Sequence, residues 1–314
     1  MMKDVHVESK HDFPLVSIYT CVYNGERTIH RVFDSIKKIS YPNIEHVIIN
    51  DGSTDNTESL VLEYIKQVDY PVVYFAKENG GKHTALNKAW DIANGVFLIQ
   101  LDADDELLPH SISFLVDTYF SIPEDIRDNY WCVHGRCVTQ NGDFVGDPYP
   151  EDINNSNWRE AGQKASRCAG EKIGLQVKKY LSCYKFPEVI GAHFLQEGII
   201  WKQINSKYGT WYTNEVVRVY YVNEGGNLSA MRTKRMQFGS LAYYYKWKFM
   251  HPELYKTSLK DILMYSLCFF TSSKKYRKHN GYFSGLSKYA PILAILAPVM
   301  FVGSIVLRIV RKIK

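Results

Sequence analysis

Short apolar runs alternate with amphipathic stretches from Leu15 to Leu101. LVSIYT (15–20), EHVIIN (45–50), VVYFA (72–76) and VFLIQL (96–101) have strand length and end at polar turn residues. Between the first two, Ile29, Val32, Phe33 and Ile36 recur at helical spacing, and Tyr41-Pro42 closes that helix. Ser53 and Asp55 stand where they can cap a second helix, and KHTALNKAWDIA (82–93) predicts a third with an Ala-rich inner face. Strand, helix, strand in this rhythm is the sequence form of right-handed βαβ units, so the fold class expected is α/β with a mostly parallel sheet flanked by helices. After Pro109 the regularity fades. A helix is predicted over 109–120, a strand at WCVHGRCV (131–138), and a loop-rich stretch at 141–170 that orders on binding. FLQEGIIWKQINSKY (194–208) reads as helix, TWYTNEVVRVYYV (210–222) as strand, and LAYYYKWKFM (241–250) as an aromatic helix; no internal repeat is present.

Composition adds a location. The 314 residues are 46% hydrophobic, enough for one substantial core plus an appendage. The net charge of +5 is small, and much of the basic excess gathers in SSKKYRKH (272–279) and RIVRKIK (308–314). Basic flanks of this kind suit an anionic membrane surface, whereas nucleic-acid binding needs a basic face on the folded domain; no nucleic-acid partner is expected. Ala290 to Leu307 carries no charge and is close to the minimum bilayer-spanning length, but Pro291, Pro298, Gly303 and Ser304 weaken a straight helix. A re-entrant or in-plane anchor over 289–310 is expected, with a docked core helix as the alternative. Six cysteines without CxxC spacing indicate a reducing compartment, and MMKDVHVESKHDFP lacks the apolar core of a signal peptide. The expected location is the cytoplasmic face of the cell membrane, peripheral or monotopic.

The candidate chemistry lies in two acidic segments at strand ends, IINDGSTDNT (48–57) and LIQLDADDE (98–106). Ligands of open α/β sheets bind beyond the carboxyl ends of the strands, where Tyr23, Asp51 and Asp102 are expected. Asp102, Asp104 and Asp105 would repel one another if left bare, so a hard divalent cation is their natural partner. A cation so held can grip a diphosphate.

Tyr23-Asn24-Gly25-Glu26, then NDGSTDNT, GGKHTALN and LDADD, resemble in letters, order and spacing the family 2 glycosyltransferases of GT-A fold. The resemblance is detailed from Leu15 to Leu108 and looser to Ser229. It implies a catalytic domain over 1–229, with a nucleotide-binding half at about 15–108 and an acceptor half at about 109–229, followed by a helical membrane-associating extension over 230–314. It assigns the nucleotide to Thr20, Tyr23, Glu26, Asp51, Lys82, Asp102 and Ala103, with Asp51 at the base and Asp102 at the ribose. Asp104, the second acidic position of the DXD motif, is assigned to Mn²⁺ or Mg²⁺. Asp105 either supports the metal or caps the next helix. Asn87 is the buried asparagine behind the site; His83 packs or bonds locally. Glu197 matches the general base of an inverting transfer, with Glu188 as the other candidate. His193, Gln196 and Trp201 are possible acceptor or phosphate contacts, and Trp158 and Trp211 could also stack on sugars. The function implied is transfer of a sugar from a nucleoside diphosphate donor, best a UDP-sugar, to a saccharide acceptor, expected to be lipid-linked, in cell-surface polysaccharide synthesis. Transfer to polyprenyl phosphate and a non-catalytic, membrane-tethered sugar-nucleotide-binding protein are the alternatives, and a homo-oligomer stays open.

Overall fold

The computed structural model describes residues 13–188, 195–222, 238–256 and 258–271, together with Pro298. Two compact units emerge. The first holds 13–78, 86–184 and 207–222; the second takes the described residues of 79–85, 185–206 and 223–314.

The first unit is built on one eight-stranded sheet. In chain order its N-terminal part runs β1 (Val16–Val22), α1 (Ile29–Ile36), β2 (Ile44–Asn50), α2 (Thr57–Ile65), β3 (Val72–Ala76), α3 (Lys82–Ile92) and β4 (Phe97–Gln100). α3 begins in the second unit and continues into the first. There follow β5 (Glu106–Leu107), α4 (Ser111–Ser121), α5 (Glu124–Arg127), β6 (Tyr130–Thr139), α6 (Trp158–Ala165), β7 (Lys172–Val177), α7 (Lys178–Leu181), and, after α8 (Gly198–Asn205) of the second unit, β8 (Gly209–Tyr220). The strand order is β3-β2-β1-β4-β7-β6-β8-β5. β3, β2, β1 and β4 are mutually parallel, as the βαβ rhythm predicts. β7 enters antiparallel between β4 and β6, and β5 closes the far edge antiparallel to β8, while β6 and β8 run parallel.

Every residue of β2 is buried, which is why this strand reads as a continuous run rather than an alternation. Three of those residues are polar and each is satisfied; Asn50 donates Nδ2 to the Tyr74 hydroxyl at 3.0 Å and accepts the Ser53 N–H on Oδ1 at 2.9 Å. Glu45 accepts from the Ser17 hydroxyl and the Asn94 N–H, both at 2.5 Å, and from Asn94 Nδ2 at 3.0 Å. Burial alone would raise the Glu45 carboxyl, but these bonds outweigh it and hold the group below the usual carboxylate range. The bonds lock the turn after α3 to β1 and β2. His46 sits between the Thr20 hydroxyl and the Tyr64 hydroxyl, each 3.1 Å from a ring nitrogen, and burial drives its pKa down to about 3.

Some elements depart from the expectation. α6 lies inside the predicted loop at 141–170, started by Asn157, whose side chain accepts the N–H groups of Arg159 and Glu160. β7 was not anticipated. Its Gly174 admits close packing, since a Cβ there would fall 2.4 Å from Cys132 Sγ.

In the second unit, α9 (Phe238–Met250) matches the predicted aromatic helix, and α10 (Leu259–Thr271) was not foreseen. It is opened by a reciprocal bond pair, Ser258 N–H to Asp261 Oδ2 at 2.9 Å and Asp261 N–H to Ser258 Oγ at 3.2 Å. Among the described residues no helix is long and apolar enough to cross a membrane. Apart from Pro298, the apolar segment at 289–310 lies outside the described residues.

Candidate active site

The loops leaving β1 and β2 are tied together at the carboxyl edge of the sheet. Asn24 takes a left-handed backbone conformation (φ 52°), donates its N–H to Ser53 Oγ at 2.9 Å and accepts the Thr54 N–H at 2.8 Å. Gly25 N–H reaches Thr57 Oγ1 at 2.9 Å, and Glu26 N–H reaches Asp55 Oδ2 at 3.0 Å. A Cβ on Gly25 would fall 2.5 Å from Val22 Cγ2, so the position needs glycine. Neither expected residue is the N-cap of α2, which is Asn56 without a side-chain capping bond; Asp55, one position further out, accepts the Thr57 N–H at 3.1 Å, and the Ser53 hydroxyl accepts the Asn24 N–H.

Two of the residues assigned to the nucleotide have protein partners of their own. The Thr20 side chain is fully buried with its hydroxyl on His46, so it packs behind the site and has no surface to offer a ligand. Glu26 uses Oε2 to accept the Asn56 N–H at 2.9 Å, which gives it a part in holding the loops together. Tyr23 remains presented, with 54% of its surface exposed.

Asp51 is nearly enclosed at 3% exposure. Its N–H donates to the Val22 carbonyl at 2.8 Å, and its Oδ1 receives Lys77 Nζ at 2.6 Å. Lys77 also donates to the Glu78 carbonyl at 2.6 Å. Sequence reasoning missed Lys77, although β2 and β3 pair Asn50 with Ala76, so the next residue of each strand must emerge side by side.

The turn from β4 to β5 carries the acidic triplet, closed by the Asp105 N–H on the Asp102 carbonyl at 3.2 Å. Asp102 is half-buried, and its Oδ1 accepts Gln100 Nε2 at 3.1 Å. Behind it the buried Tyr19 hydroxyl donates to Gln176 Oε1 at 2.9 Å and lies 3.4 Å from Gln100 Oε1. Ala103 and Asp104 are half-buried, and the Asp104 carbonyl accepts Arg31 Nη1 at 3.3 Å. Asp105 does not cap α4. It is fully buried, accepts the Tyr221 N–H at 3.0 Å on Oδ1, and sets Oδ2 3.4 Å from Arg218 Nε. Burial, partly offset by Arg218 and reinforced by the charges of Asp102 and Asp104, pushes its carboxyl up to about 7. That repulsion marks a concentration of negative oxygen donors. No group of three or more metal-ligating side chains gathers among the described residues. Two carboxylates on a tight turn are what Mg²⁺-like cations use when phosphates and water complete the shell, so Asp102 and Asp104 fit such an ion.

The remaining assigned residues belong mostly to the second unit. Gly81 has φ +92°, a conformation that favours glycine, and its carbonyl accepts the Thr84 N–H as α3 begins. Lys82 Nζ lies 3.2 Å from Glu197 Oε1. Glu197 is the residue entering α8 and makes no side-chain capping bond, so its carboxylate is not committed to the helix end. Gln196 and Trp201 are half-buried, Glu188 is exposed, and His83 is buried edge-on to Phe186 at 6.5 Å. His193 lies outside the described residues. In the first unit Asn87 is buried, Trp211 packs edge-on to Tyr130 at 5.2 Å, and Trp158 lies under the Arg159 guanidinium.

Known proteins share parts of this arrangement. Residues 17–159 match the sequence profile described as Glycosyl transferase family 2. An uncharacterised glycosyltransferase of Rickettsia typhi is 38% identical over 104 residues, 33% of this chain and 31% of that protein. The chondroitin synthase of Pasteurella multocida is 34% identical over 165 residues, 51% of this chain and 15% of that protein. The chain thus covers a third or less of these curated relatives. Among solved structures, S. aureus TarS 1-349 in complex with UDP-GlcNAc aligns with a TM-score of 0.54 at 16% identity, covering 92% of this chain and 88% of that one. The mannosyltransferase PcManGT of Pyrobaculum calidifontis, in complex with GDP-Man and Mn²⁺, aligns at 0.50 and 20% identity, covering 93% and 73%. At such identities the likeness is one of fold.

Proposed function

We propose, from the premise that residues 17–159 are a family 2 glycosyltransferase domain of GT-A fold, that this chain is an inverting, metal-dependent glycosyltransferase using a nucleoside diphosphate sugar, best a UDP-sugar. The observation that carries the reading is the pair of half-buried carboxylates, Asp102 and Asp104, on the tight turn after β4. The nucleotide sugars bound by TarS and PcManGT support the donor class.

In this reading the Asp51 carboxylate accepts a ring N–H of the base and the exposed Tyr23 ring stacks on it. Asp102 orients the ribose, Asp104 holds the cation, and Lys82 faces anionic oxygen. When bound, a divalent cation supplies positive charge against the departing diphosphate. Glu197 takes the proton of the acceptor hydroxyl as that oxygen bonds to the anomeric carbon; the bond to phosphate breaks, and its electron pair leaves with the nucleoside diphosphate. Gln196, Trp201 and His193 are proposed on the acceptor side. The basic, apolar C-terminus supports a lipid-linked saccharide acceptor at the cytoplasmic membrane face, in surface polysaccharide synthesis.

The test is a panel of nucleotide sugars offered to the purified chain with Mn²⁺, read by released nucleotide. One UDP-sugar is expected to turn over, and Asp104→Asn to abolish both turnover and metal-dependent nucleotide binding. Undiminished Mn²⁺-dependent activity in Asp104→Asn overturns the metal assignment. Transfer onto bare polyprenyl phosphate would replace the saccharide acceptor with a lipid one.

A further inference from the structure

The acidic turn is held from outside by the end of β8. Asp102, Asp104 and Asp105 crowd like charge into four positions, and such a turn opens unless something restrains it. Its upstream side is pinned by the sheet, where Leu101 N–H donates to the Tyr19 carbonyl at 3.0 Å. Downstream, β5 pairs Glu106 with Val219 and Leu107 with Arg218. Between these two anchors stands Asp105, fully buried, receiving the Tyr221 N–H at 3.0 Å and lying 3.4 Å from Arg218 Nε. Arg218 is itself only 5% exposed. Tyr221 adds two more ties: its hydroxyl donates to Glu106 Oε1 at 2.6 Å, and its ring lies 3.9 Å beneath the guanidinium of Arg31, which donates to the Asp104 carbonyl.

A buried ion pair is weak evidence for stability, since removing two charges from water offsets much of their attraction. Stabilising the fold therefore does not by itself account for this one. Its position does: it joins the residue after Asp104 to a strand more than a hundred positions along the chain. We infer that Asp105, Arg218 and Tyr221 form a clasp that fixes the separation of Asp102 and Asp104, which makes Asp105 and Arg218 positioning residues for the cation. The inference rests on the metal-dependent reading above and extends it to residues that touch neither metal nor donor. Partners behind metal ligands commonly set affinity by about 10- to 100-fold.

The experiment replaces the pair with apolar side chains of similar volume, Asp105→Leu with Arg218→Met, an exchange that buried ion pairs often tolerate. Mn²⁺ binding in the presence of UDP is measured by the electron paramagnetic resonance of the free ion, alongside thermal unfolding. The expected result is a melting temperature close to that of the parent chain and Mn²⁺ affinity weakened about tenfold or more, with turnover restored by excess Mn²⁺. A folded double variant that binds Mn²⁺ as tightly as the parent overturns the clasp. Should the double variant fail to fold, Tyr221→Phe removes only the hydroxyl tie to Glu106. A several-fold loss of Mn²⁺ affinity then supports the clasp, and unchanged affinity overturns it. If the parent chain itself binds no Mn²⁺ with UDP, the metal-dependent reading fails, which is a different outcome from equal binding by parent and variant.

Discussion

Lys82 and Glu197 meet at 3.2 Å, both partly exposed, at the entrance of α8. Because Glu197 makes no capping bond, its charge can be removed without loosening the helix. Glu197→Gln is expected to lower the transfer rate by about 10²- to 10⁴-fold, the range of a lost general base, while stability moves by no more than about 0.5 kcal/mol. Steady-state rates, a nucleotide titration and a melting curve check all three; if Glu188→Gln does the damage and Glu197→Gln does not, the exposed Glu188 is the base. Single residues also mark the limit of sequence reading. The placement of Asp51, Asp102 and Asp104 just past β2 and β4 was legible because the apolar runs before them stop there. Whether the Thr20 hydroxyl faces a ligand or the neighbouring His46 depends on which side of the sheet it occupies, which the letters alone do not state. Asp105 looked like its neighbours in the sequence, yet a turn of backbone sends it into the core.

At the scale of elements, β1, β2 and β4 were legible because strands covered on both faces become unbroken apolar runs, whereas β3, half-exposed, was legible from its β-branched and aromatic residues. β7, with Lys172, Gly174 and Gln176 in six residues, has no such run, and α6 was hidden in a polar stretch whose only cue was Asn157 three residues before Glu160. Strand β2 carries its own prediction, since Glu45 and His46 are both held in their deprotonated forms by the fold. Unfolded histidine takes a proton near pH 6.5, whereas folded His46 resists until about 3, so stability must fall as pH drops through that interval. Glu45, depressed below its unfolded value, adds to the loss once pH passes below about 4.3. Urea unfolding between about pH 7 and about pH 4 is expected to show this decline, and His46→Gln to flatten its upper part. A slope unchanged in His46→Gln would place the acid sensitivity elsewhere.

For the whole molecule, the proposed membrane attachment turns on the basic and apolar C-terminus. Deleting 285–314 is expected to move the chain from the membrane fraction to the supernatant while transfer to a soluble acceptor survives; unchanged sedimentation with membranes would contradict the anchor. The sheet order has a separate implication for dissecting the chain. The family match ends at 159, before β7 and β8, yet β7 fills the place between β4 and β6, and β8 supplies the counter-ion of Asp105. A fragment trimmed to the matched segment would lose two inner strands, leave raw sheet edges prone to sticking, and strand an acid in an oily interior. The boundary of likeness is therefore not a place to cut: the matched segment cannot be transplanted without the strands that arrive last.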